Sequence, residues 1–171
     1  ILEHKYENGL GVIKFDGPIT HIGEKAFYQS QTLKSITMPN TVVAVGDNAF
    51  TYSRLSTIIL SSNLKEIGRW AFSQTDLVNV AIPNTLVSIG DEAFYCIQEL
   101  RTFTGKYASS DNRCLVINGE MYAFASAGLT EYSIPNGVNV IGLGVFGYCQ
   151  NLENIIIPNS VTTIRNRAFA N

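Results

Sequence analysis

Histidine is nearly missing from this 171-residue chain, which has only His4 and His21, and charged residues make up just 15% of it. A charged fraction near one quarter is usual, so Ser, Thr and Asn must cover much of the surface. The three cysteines, Cys96, Cys114 and Cys149, show no C-x-x-C spacing and have no neighbouring histidine. Zinc and dithiol redox chemistry need closely spaced ligands, so these thiols read as small fillers of turns and core. The formal charge of −2 is spread without a run of one sign, which leaves no basic stripe to neutralise phosphates and excludes nucleic acid. No stretch approaches the roughly 20 apolar residues of a membrane-spanning helix. G-x-S-x-G, H-E-x-x-H and G-x-x-x-x-G-K are all absent, and the glycines are spread at a regular period. These absences argue against an enzyme and against a cofactor or metal.

What the chain has is a repeat. The hexad I-G-x-x-A-F occurs at Ile22–Phe27, Val45–Phe50, Ile67–Phe72, Ile89–Phe94, Ile141–Phe146 (Val145 for Ala) and Ile164–Phe169 (Arg165 for Gly). Phe27 to Phe50 is 23 residues, the next two steps are 22 each, and Phe146 to Phe169 is 23. A period of this length indicates a solenoid whose units bury their apolar faces only against one another. The full unit is L-x-x-I-x-(I/L/M)-P-x-x-V-x-x-I-G-x-x-A-F, and its starts at Leu10, Leu33, Leu55, Leu77, Leu100, Leu129 and Leu152 predict seven repeats in one solenoid, 10–171. Residues 1–9 precede the pattern as a cap or linker. The chain opens at Ile1 without Met, so any leader or upstream domain is expected to have been removed. It stops at Ala170-Asn171, before the Leu of a further unit, which predicts an excised segment or end-to-end self-association.

Within a unit, Leu33–Met38 ends in apolar–polar alternation, as a strand with one buried face does, so Ile36 and Met38 point inward. Pro39-Asn40 then breaks the ladder, a device repeated at Pro83-Asn84, Pro135-Asn136 and Pro158-Asn159, with Ser61-Ser62-Asn63 a weaker form. Val42–Val45 follows as a second short strand with Val42 and Val45 inward. The hexad is apolar at its first, fifth and sixth positions, which predicts one turn of α or 3₁₀ helix. Its Gly either allows coils to approach closely or adopts a left-handed backbone; Arg165 at one such position counts against the second. Phe27, Phe50, Phe72, Phe94, Phe124, Phe146 and Phe169 are predicted to stack in one column inside the solenoid. The class is thus an α/β repeat solenoid, right-handed, β-rich with short helical turns.

The fifth unit, 100–128, is longer: Phe94 to Phe124 is 30 residues. Within it Asn118-Gly119 separates two apolar runs, the signal for a two-residue type I′ hairpin, because both central positions need positive φ. The pair is expected over 113–124, with Leu115, Ile117, Tyr122 and Phe124 on one face and Cys114, Val116, Met121 and Ala123 on the other. The preceding Ser109–Asn112 reads as a polar loop, too poor in carboxylates for a calcium site. Trp70 occupies an exposed hexad slot, where it either anchors a partner or packs on the next repeat.

With this unit in view, the chain resembles the BspA-type leucine-rich-repeat proteins, and Leu77–Phe94 fits their motif at every key position. The resemblance implies a leucine-rich-repeat superhelix in a secreted or surface-attached bacterial protein, extracellular in location, with adhesion to a host matrix protein or another cell surface as its role. It carries no catalytic residues. A structural spacer and a carbohydrate-binding module are the alternatives, the latter kept open by Tyr28, Tyr52, Tyr95 and Tyr148 on the turn edge. Strand alternation places the candidate ligand-binding column at Ser35, Thr57, Asn79, Thr102, Glu131 and Asn154, facing out of the first strands. The expected partner is an extracellular protein, or a glycan.

Overall fold

A computed structural model describes the backbone of residues 3–7 and 10–14 and the whole of 17–170, and it shows a β-solenoid of about six turns. Two columns of short parallel strands run along its axis. The first holds Ser35–Thr37, Thr57–Ile59, Asn79–Ile82, Thr102–Gly105, Glu131–Ser133 and Asn154–Ile156. These pair in twos, with Ser35 opposite Thr57, Asn79 opposite Thr102 and Glu131 opposite Asn154. The second column joins His21–Ile22, Ala44–Val45, Glu66–Ile67 and Ser88–Ile89 into one four-stranded parallel sheet. Glu3–Glu7 and Leu10–Lys14 form an antiparallel pair of their own. The cap or linker expected over 1–9 lies partly outside the described residues.

The hexads are not helical, and the described residues contain no helix. Each hexad and the residues after it form overlapping turns in which alternate amides point in different directions. Ala49, Thr51 and Ser53 donate to Gly46, Asn48 and Phe50 three residues back, whereas Asn48, Phe50 and Tyr52 donate sideways to Arg69, Ala71 and Ser73 of the next coil. A helix directs every amide along its own axis, so sideways donation excludes one. The reversal is made by positive φ at the fourth hexad residue, as at Lys25, Asn48, Trp70 and Glu92 (φ 54–55°), and again two residues after Phe, as at Tyr52 (61°) and Tyr148 (58°).

The hexad glycine serves close approach. A Cβ on Gly68 would lie 2.6 Å from Asp47 N and Gly46 C of the preceding coil, and one on Gly90 would lie 2.5 Å from Arg69 N. Neither has positive φ. Gly23 starts the series and has nothing within 4 Å.

Inside, Phe27, Phe50, Phe72 and Phe94 stack with ring centroids 5.0, 5.3 and 5.3 Å apart. The single column expected over all seven rings is broken, however. Phe94 meets Phe103 edge-on at 5.3 Å, and a second run begins at Phe124, which sits 4.8 Å from Phe146; Phe146 in turn stacks on Phe169 at 5.0 Å. The core divides accordingly into a larger cluster around Phe50, Phe72 and Phe103 and a smaller one around Met121, Ile141 and Phe146.

The long repeat explains the break. Cys114–Ile117 pairs antiparallel with Glu120–Phe124 across Asn118 (φ 52°) and Gly119 (φ 82°), as the Asn-Gly signal requires. Glu120–Phe124 also pairs in parallel with Val140–Ile141, so the hairpin's second strand is its coil's member of the second column. The expected faces hold near the turn but not beyond it. Leu115 lies opposite Ala123 and Val116 opposite Met121, which leaves Tyr122 as a bulge. Ala123 therefore joins Leu115 in the larger core while Phe124 joins Cys114 in the smaller, the reverse of strict alternation.

Phe72 is fully buried between two stacked rings. Phe72→Ala is expected to lower unfolding free energy by about 3–5 kcal/mol in urea denaturation. By the same measurement Gly68→Ala should cost about 1–3 kcal/mol, since its Cβ meets main chain that cannot yield. Gly23→Ala, with open space around it, should be nearly neutral, and equal losses at the two glycines would refute the close-approach role.

Candidate functional site

The six residues of the predicted column lie where strand alternation put them. Ser35, Thr57, Asn79, Glu131 and Asn154 are exposed, and Thr102 is half-buried, its hydroxyl donating to Asn79 Oδ1 at 2.7 Å. Two residues along each strand a second column emerges, in which Ile59 (59% exposed) and Ile156 (66%) stand among small polar neighbours. The column is not one continuous sheet, because the strands pair in twos.

The long repeat interrupts the column between Thr102 and Glu131 and adds a wall to it. Asp111, from the Ser109–Asn112 loop, faces Glu131, Tyr132, Ser133, Asn154 and Ile156 across a cleft of about 330 Å³. Sequence reading placed Glu131 and Asn154 on this face, but nothing in the period pointed to Asp111 as their neighbour, because the loop has no counterpart in other repeats. Asp111 is held in place by hydrogen bonds from Ser109 Oγ and from the Arg113 amide (3.1 Å). Partial burial pushes its carboxyl pKa up, but hydrogen bonds from Ser109, the Arg113 amide and Tyr132 prevail and hold it below the ordinary value. Asp111 therefore presents a charged carboxylate at neutral pH. Tyr132 is pushed in the other direction, chiefly by burial and then by its contact with Cys114 (Oη to Sγ, 3.5 Å), so it keeps its proton.

The three cysteines are free thiols. Burial is the first cause raising the thiol pKa at Cys114, which is buried, and at Cys96 and Cys149, which are half-buried, so thiolate is scarce at neutral pH. Among the described residues no group of three or more His, Cys, Asp or Glu side chains is arranged to hold a metal ion, and no helix is long and apolar enough to cross a membrane. Trp70 is occupied within the molecule. Its indole N–H donates to Glu92 Oε2 of the next coil at 2.8 Å, and the Arg69 guanidinium lies 4.3 Å over its ring. Of its two expected roles, the structure selects packing on the next repeat.

The first-strand face is mostly polar, with Ile59 and Ile156 exposed on it and a cleft between Asp111 and Glu131. Comparisons with known proteins bear on whose surface it is. The model of the BspA type leucine rich repeat region matches residues 5–111 and 118–171 in six copies. No curated protein matches the chain. A crystallised leucine rich cell surface protein from Faecalibacterium prausnitzii is similar at 29% identity with a TM-score of 0.77, over 85% of this chain and 41% of its own. A leucine-rich repeat protein from Eubacterium ventriosum (23% identity, TM-score 0.67, 88% of this chain and 48% of its own) and the pneumococcal vaccine antigen PcpA (18%, 0.72, 85% and 38%) share the fold. This chain thus spans less than half the length of each of these proteins. With the repeat model matched over nearly its whole length, the chain belongs to the BspA-type leucine-rich-repeat family.

Proposed function

We propose that the chain is a non-catalytic binding module of a secreted or cell-surface bacterial protein, and that it captures a protein ligand on its first-strand face. The observation that carries this reading is the composition of that face. Short hydrogen-bonding side chains at Ser35, Thr57, Asn79 and Asn154 stand beside exposed Ile59 and Ile156, and the Asp111–Glu131 cleft opens within the face. Exposed isoleucines set among polar groups offer apolar area to bury, about 1.5–3 kcal/mol for a side chain fully covered, with hydrogen bonds around them to fix register. The two carboxylates of the cleft suit a lysine or arginine side chain of the partner. The cell-surface description of the Faecalibacterium protein supports the location, and adhesion to a host matrix protein or another cell is the role that fits both.

The triple variant Asn79→Lys, Thr102→Lys, Glu131→Lys changes this face without touching the core. It should abolish capture of matrix proteins in a solid-phase binding panel, and unfolding free energy should stay within roughly 0.5 kcal/mol per substitution. Undiminished capture would remove the face from the binding role.

A further inference from the structure

A second surface runs along the turn edge, over the residues that follow each hexad. Three clefts follow one another there, of about 460, 260 and 130 Å³. The first and second share Gln74 and Asp76, and the second and third share Gln98 and Glu99, so together they make one trough crossing the coils from Gln29 to Asn151. At about 4.8 Å per coil the trough extends for roughly 20–25 Å. Carboxamides of Gln29, Gln31, Gln74, Gln98, Gln150 and Asn151 recur along it, with Tyr52 in the first cleft and Tyr148 in the third.

The tyrosines are 45% and 42% exposed, and each adopts a left-handed backbone conformation, φ 61° at Tyr52 and 58° at Tyr148. Gly would meet that conformation without strain, whereas a bulky side chain is costly there. Each ring is also braced from one side: Tyr52 meets Tyr28 edge-on at 5.9 Å, and Tyr148 meets Tyr95 edge-on at 5.8 Å. Two braced, part-exposed rings thus stand on this edge with Gln74 and Gln98 between them.

We infer that this trough is a second binding site, and that its ligand is a linear, uncharged glycan lying along the solenoid axis. Carboxamides both donate and accept, matching hydroxyls that do the same, and tyrosine offers an apolar face with a polar tip for a sugar ring to lie against. The charges do not favour an anion: Arg54 and Asp76 sit 3.8 Å apart and offset one another, leaving Glu99. An extended peptide fits less well. It brings a main-chain donor and acceptor at every residue, but the amides of Tyr52 and Gln74 along this edge already donate to Ser73 and Tyr95 of the neighbouring coil.

The test is retention of the whole chain in affinity gels containing mannan, β-glucan, α-glucan or soluble chitin. At least one gel should retard it, with little change between about 50 and 500 mM salt because no ion pair is involved. The double variant Tyr52→Gly, Tyr148→Gly removes both rings while relieving their backbone conformation. It should lose about tenfold or more in affinity without melting lower. If that variant does melt lower, Gln98→Ala, an exposed side chain in two of the clefts, serves as the second test and should also weaken retention. The first-strand triple variant should bind the gel normally. Failure of all four polysaccharides, loss of retention in salt, or full retention by the Tyr and Gln variants would overturn the assignment.

Discussion

Sideways hydrogen bonding from one coil to the next is the constraint on which the rest of this molecule depends. Along the hexad arc every second amide donates to a carbonyl of the neighbouring coil, as Phe50 does to Ala71 and Phe72 to Ala93. This holds successive coils at strand-like spacing. The hexad Gly cannot then carry a side chain where the coils touch, Ala at the fifth position is fully buried in the middle coils, and Phe at the sixth meets its own copy at 5.0–5.3 Å. Identical rings in register give the array its apolar spine, and burial of each adds about 1.5–3 kcal/mol. The left-handed residues are the cost of turning the chain so that its amides can leave the coil.

At the long repeat that rule is suspended. A hairpin enters between the fourth hexad and the next, the aromatic stack stops at Phe94, and Phe103 closes it edge-on. Where the hexad arcs of Asp91–Cys96 and Gly142–Tyr148 come together, side chains replace main-chain bonds. Tyr95 reaches Tyr148, and the space a Cβ of Gly144 would need is taken by Glu92 at 2.7 Å. The solenoid keeps its direction because Glu120–Phe124 still supplies a strand to the second column. Arg165, standing where other hexads have Gly, ties the last coil back to this hairpin through Glu120 at 3.1 Å.

Because packing consumes the inward positions in every coil, what is free for binding is periodic as well. The outward strand columns and the turn edge each repeat once per coil, so each is a row of similar groups suited to an extended partner. The insertion makes these rows locally distinctive. On the strand face it contributes Asp111 beside Glu131, and on the turn edge it brings Ser126 and Ala127 next to Tyr148.

Spacing alone determined the solenoid, the two-residue turn at Asn118-Gly119, and which residues of the first strands face outward. Each of these follows from a local rule repeated many times: a buried Leu or Phe at constant phase, Pro after a strand, alternation within it. The hexads were another matter. Apolar residues at positions one, five and six satisfy a helical turn as well as a chain of tight turns, and only the neighbouring coil, by accepting alternate amides, decides between them. Tertiary packing also decided the bulge at Tyr122, which places Phe124 against Phe146 instead of in the larger core. The period placed Tyr52 and Tyr148 on the turn edge, but only stacking of the coils joins residues of turns 22 or more positions apart into one trough.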